Sequence, residues 1–170
     1  MVKSYLVSAL ILLCVAIIET AIISNITFLP AIPDLLLICS IYFSLLNGRG
    51  MGEFSGFLSG FFIDFLSGTP FGFNCIFRTI IGYVIGWFGS SINYRGFFIP
   101  ILIGFIATLL KVFLIWMISL FFPAVSSVYS IVSIPFLFEL VVNALLTPFI
   151  FKILSSFDRM TSLSSSEGIA

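Results

Sequence analysis

Apolar runs of about 16 to 26 residues recur along this chain, the length an α-helix needs to cross the ~30 Å hydrocarbon layer of a bilayer. A spanning segment must satisfy its backbone N–H and C=O groups internally, and a helix does so within a single run. Of the 170 residues 61% are hydrophobic and only 8% charged, with a mean hydropathy of +1.29. A water-soluble domain of this length could not present such a balance to solvent, which demands a mostly polar surface. The expected fold class is therefore an all-α integral membrane protein with almost no soluble domain.

The runs divide into six helices, over residues 5–24, 33–46, 52–66, 71–90, 97–122 and 131–154. Residues 1–155 are expected to form one six-helix transmembrane domain, and the serine-rich tail 156–170 to be disordered. Pro33 suits a first helical turn, and Asp34 beside it is well placed against the helix dipole. Asn47-Gly48 ends helix 2, Pro123 to Ser130 reads as a polar turn, and Pro148 inside helix 6 predicts a kink. Lys3, Arg49, Arg95, Lys152 and Arg159 fall at the N-terminus, loop 2, loop 4 and the C-terminus, whereas loops 1, 3 and 5 hold no Lys or Arg. Under the positive-inside rule both termini are cytoplasmic. Tyr83, Trp87 and Tyr94 then sit towards the cytoplasmic interface and Tyr129 towards the outer one.

Several function classes fall away. The formal net charge is zero and no basic patch exists, so nothing points to nucleic acid. Histidine is absent, and Cys14, Cys39 and Cys75 show no CxxC spacing, so neither a metal site nor a disulfide framework is indicated. Gly48, Gly50 and Gly52 lack the following lysine and preceding strand of a phosphate-binding loop. No cofactor and no catalytic group is expected.

The stretch from Gly48 to Gly89 carries most of the pattern. Gly52, Gly56, Gly60 and Asp64 fall four apart, and so do Arg78, Gly82 and Gly86, with a short turn through Pro70 between the two runs. Small residues at that spacing form a flat strip on which another helix can approach closely in lipid. Glu19, Asp64, Arg78, Lys111 and Glu139 are the ionisable groups inside the spans, and groups of this kind turn towards the bundle interior, often in pairs. Asp64 and Arg78 flank one turn and form the first expected pair, which Glu19 could join; Lys111 and Glu139 form the second. These charges either lock helices together or line a cavity or partner-binding face open to the outside. Asp34 and Glu53, nearer the interfaces, are read as plain caps or solvated ends.

Pro33-Asp34-Leu35-Leu36-Leu37, the block Gly56-Phe57-Leu58-Ser59-Gly60-Phe61-Phe62-Ile63-Asp64-Phe65-Leu66-Ser67-Gly68 with Pro70-Phe71-Gly72, and Gly82-Tyr83-Val84-Ile85-Gly86 together resemble the rod shape-determining protein MreD family. Asn143-Ala144-Leu145-Leu146-Thr147-Pro148 looks like that family's last helix. The resemblance implies a non-enzymatic component of the bacterial inner membrane that works with the bitopic protein MreC, with MreB filaments and with the glycan polymerase–transpeptidase pair of the lateral wall. That family in turn resembles the substrate-binding subunits of energy-coupling-factor vitamin transporters, which share a six-helix fold with an outward-facing cavity. Two functions are thus in view: a scaffold for cell elongation, and a small-solute binding subunit of a transporter.

Overall fold

The computed structural model describes residues 2–23, 30–68, 70–89, 91–94, 96–121 and 133–163. They form α1 (Val2–Ala21), α2 (Leu35–Asn47), α3 (Arg49–Ser67), α4 (Phe73–Trp87), α5 (Phe98–Phe121), α6 (Ile134–Ser155) and a short α7 (Asp158–Thr161). The first six follow the expected order with shifted ends. The turn expected at 123–130, and Tyr129 with it, lies outside the described residues. Helices α1, α5 and α6 are long and apolar enough to cross a membrane, whereas α2 and α4 are shorter, at 13 and 15 residues.

The shortness of α2 goes with its place. Ten consecutive residues, Leu36 to Leu45, are buried, so α2 has no exposed face along that length. A helix apolar on every side belongs inside a bundle, surrounded by other helices. Here α1, α3, α4 and α6 pack around it. Leu36, Ile38, Ile41 and Phe43 form the core with Leu12, Met51, Phe77 and Ile81 from its neighbours.

Helix α3 begins at Arg49 rather than at 52, because the break after α2 is one residue long. Gly48 has φ 81° and ψ −167°, which turns the chain between two helices in a conformation that a side chain would resist. From there α3 runs back along α2 and pairs with α4. Helix α1 buries Ser4, Ser8, Leu12, Ala16 and Glu19, one stripe at helical spacing. Tyr5, Ile11 and Val15 flank it half-buried, and Leu6, Leu10 and Ile17 are exposed, as a lipid-facing surface would be. Helices α5 and α6 form a second hairpin, with Gly104 set against Thr147. Helix α6 passes through Pro148 as one continuous element.

The expected disorder of the tail does not hold for residues 156–163. After α6 the chain folds back, and Asn47 fastens it at both ends of its amide: Nδ2 donates to the Thr161 carbonyl at 3.1 Å, and Oδ1 accepts from the Leu163 amide at 2.7 Å. The Tyr42 hydroxyl donates to Asp158, and Ser4 donates to the Ser162 carbonyl at 3.1 Å. Composition favoured a free tail, but these polar anchors on α1 and α2 capture its first part.

A buried charge cluster as the candidate functional site

Four oppositely charged side chains meet where the N-terminus of α2 touches α4, α5 and α6. Asp34 stands at the centre. Its carboxylate accepts from Arg78 Nη2 at 2.8 Å to each oxygen and from Lys111 Nζ at 2.7 Å. Lys111 Nζ also donates to Glu139 Oε1 at 2.6 Å. Asp34, Arg78 and Glu139 are each no more than 2% exposed, and Lys111 7%. Two cations and two carboxylates balance. That balance lets the group persist in low dielectric, where a lone charge would not.

Backbone geometry holds Asp34 in place. It is the N-cap of α2, and Oδ1 accepts from the Leu37 amide at 2.9 Å, satisfying one of the orphan donors of the first turn. Its own amide donates to Asn143 Oδ1 at 2.9 Å, and Asn143 Nδ2 donates to Thr108 Oγ1 at 3.2 Å. Asn143 and Thr108 thus tie α6 and α5 to the same point as the ions. Glu19 of α1 arrives two residues along, where Oε2 accepts from the Leu36 amide at 2.9 Å. The start of α2 is therefore held by α1, α4, α5 and α6 together. Arg78 uses only Nη2 for these bonds; Nε and Nη1 have no hydrogen-bond partner among the described residues. The guanidinium carbon lies 5.7 Å from the centre of the Phe77 ring.

Two sequence expectations are corrected here. Asp64 does not clasp Arg78. Its oxygens accept from the backbone amides of Gly72 at 2.9 Å, Asn74 at 3.1 Å and Cys75 at 3.4 Å, and from Asn74 Nδ2 at 2.7 Å. The first turn of α4 presents unpaired N–H groups, and no side chain of its own N-cap, Gly72, satisfies them. A buried carboxylate meets that need and gains the favourable end of the helix dipole. Asp34, in turn, is more than a plain cap: it neutralises two cations from different helices. Glu53 is exposed, as a solvated end would be. The structure brings Lys111 and Glu139 together, and joins Arg78 to them through Asp34.

The glycine strips face each other between α3 and α4. A Cβ built at Gly52 would overlap the Gly82 carbonyl oxygen, and one at Gly82 would overlap that of Gly52. At Gly56 it would meet the Arg78 carbonyl, at Gly60 the Cys75 amide at 2.5 Å, and at Gly86 the Arg49 Cα at 2.8 Å. These contacts are backbone on backbone. The strips are occupied inside the chain, and their closeness brings Arg78 under α2. Sequence inspection missed Asp34 as a hub, and Asn143 and Thr108 as its supports. Asp34 and Asn143 both lie within the blocks that carried the family resemblance.

Among the described residues no group of His, Cys, Asp or Glu is arranged to hold a metal ion. Chemically the cluster can fix helices relative to one another. No curated protein and no solved structure matches the chain. One family model does match, described as the rod shape-determining protein MreD, over residues 2–157. The chain therefore belongs to the MreD family, whose members are structural components of cell-shape determination and not a known enzyme family.

Proposed function

We propose that this protein is a non-enzymatic scaffold of the bacterial elongation machinery. In this proposal its six longer helices cross the inner membrane as one domain, with both termini in the cytoplasm. It binds an MreC-type bitopic protein and so links MreB filaments to the glycan polymerase–transpeptidase pair that builds lateral wall. The observation that carries this is the family match, which extends over nearly the whole chain.

The charge cluster supports a mechanical role. Asp34, Arg78, Lys111 and Glu139 turn their charges on one another, so in this proposal they act as an internal clasp that fixes the α5–α6 hairpin on the α1–α4 unit. Gly52, Gly56, Gly60, Gly82 and Gly86 serve the same rigidity by letting two backbones touch. With those strips occupied, a partner helix would lie on an outer apolar face. The transporter alternative gains no support from the comparisons, which return a cell-shape family.

Depletion in the host tests the proposal. Rods should round up, and an MreC-type protein should co-purify with the tagged chain from native membranes and be lost with it. Normal rods after depletion would refute the proposal. A purified protein carrying a vitamin-like ligand by native mass spectrometry would count for the transporter instead.

A further inference from the structure

A cavity of about 610 Å³ opens at the end of the bundle remote from the charge cluster, within the range of small-ligand sites. Tyr42 of α2, Tyr94 and Phe97 before α5, Phe151 and Lys152 of α6, and Asp158 of α7 line it. Three of the rings form an edge-to-face group: Tyr42 lies 5.1 Å from Phe151 and 5.9 Å from Tyr94, centre to centre. Asp158 accepts from the Tyr42 hydroxyl through Oδ1. Lys152 stands in the last turn of α6, exposed, and makes no ion pair among the described residues. Among the described residues that line it, the cavity thus holds one carboxylate against aromatic walls and one cation on its rim.

Its level matters as much as its lining. Lys152 is three residues from the end of α6, and Phe97 immediately precedes α5. Both helices are long enough to span, so their ends fall in the headgroup layer, where lysines extend their ammonium groups. On the flank, Phe97 and Phe149 pack at 6.4 Å and are each more than half exposed, an apolar track leading away from the cavity.

We propose that this cavity binds the headgroup of a zwitterionic phospholipid of the phosphoethanolamine class. The phosphate meets Lys152, the primary ammonium meets the Asp158 carboxylate and the aromatic faces, and an acyl chain follows Phe97 and Phe149. A purely anionic headgroup would bring its charge towards Asp158, and among the described residues that line the cavity Lys152 is the one cation. A choline headgroup would offer charge to the rings but no N–H to the carboxylate. The site needs only the membrane placement of the chain, and stands apart from the scaffold role.

The test uses the full-length protein in detergent, exposed to an equimolar mixture of phosphatidylethanolamine, phosphatidylglycerol and phosphatidylcholine and read by native mass spectrometry. One phosphatidylethanolamine should be retained, in about tenfold preference over either other lipid, the ratio that one charge-assisted hydrogen bond supplies. Lys152→Gln should weaken its retention by about tenfold, and Asp158→Asn should abolish the preference over phosphatidylcholine. Asp158 also holds Tyr42, so that variant is judged only if its helical circular dichroism is unchanged; Lys152→Gln removes no ion pair among the described residues and decides the matter otherwise. Equal retention of the three lipids, preference for phosphatidylglycerol, or full retention in Lys152→Gln would overturn the proposal. Displacement of the lipid by free phosphoethanolamine at equal concentration would overturn its assignment to a lipid.

Discussion

Replacing Asp34 with Asn keeps the size of the side chain and removes the charge that two cations share. Arg78 and Lys111 lie 2.8 and 2.7 Å from its carboxylate, and all three side chains are at least nine-tenths buried. An Asn at this position still offers one oxygen to cap Leu37, but its amide nitrogen must then face a cation. Lys111 retains Glu139; among the described residues Arg78 has no other anion at bonding distance. Breaking a buried pair by removing one partner costs about 3–5 kcal/mol, and the surviving cap puts Asp34→Asn near the lower end, at about 3 kcal/mol. For a chain of this size that is a fall in the unfolding midpoint of about 6–12 °C. The assay is thermal unfolding of the purified protein in detergent, followed by loss of solubility. Glu139→Gln, which leaves Lys111 with Asp34, should cost less than Asp34→Asn. In a double-mutant cycle Asp34→Asn and Arg78→Gln should be less than additive by about 2 kcal/mol, since either change alone already breaks the bond. A loss under about 1 kcal/mol for Asp34→Asn, or strict additivity with Arg78→Gln, would refute the hub. Coupling of Arg78→Gln to Asp64→Asn instead would restore the pairing expected from sequence.

Two further substitutions probe the helix contacts. Gly52→Ala pushes a methyl group into the Gly82 backbone, which has no rotamer with which to yield, and should destabilise the protein by about 1–3 kcal/mol, while Gly50→Ala, with only the Tyr5 hydroxyl 4.0 Å away, should be neutral or slightly stabilising. The same unfolding assay reads both, and equal losses would show that the strip is not the contact. Asp64→Ala strips the start of α4 of its acceptor and should cost about 1–2 kcal/mol, with faster amide exchange at Asn74 and Cys75 as the local signature. Unchanged exchange there would remove Asp64 from the cap.

Much of the fold was legible because lipid imposes simple rules. Long apolar runs become helices in the order written, and glycines four apart become a face for close approach. The partner of Lys111 was legible too, since Glu139 lies at a similar level on the next antiparallel helix. The misreadings came from local sufficiency. Asp34 at a helix start is fully explained by capping, so nothing in its neighbourhood signalled the cations that converge on it from 44 and 77 residues away. Asp64 and Arg78 were close in sequence and opposite in sign, but the open N–H groups of α4 competed for the carboxylate and won. The serine-rich tail carried no mark of Asn47 and Tyr42, which capture its first residues from α2. Asp34 and the tail have distant partners that nothing local announced, whereas Asp64 found partners nearer in sequence than the one expected.

The enclosure of α2 has a consequence for how this sequence can drift. Along α1 only one stripe is buried, so Leu6, Leu10 and Ile17 can be exchanged for almost any apolar residue without disturbing a neighbour. From Leu36 to Leu45 no such free position exists, because every side chain fills space between helices. A saturation screen for growth as rods should therefore return a continuous intolerant block at α2, against a four-residue rhythm of tolerance in α1. Tolerance is thus expected to lie on the outer helices, and constraint to run unbroken through the short central one.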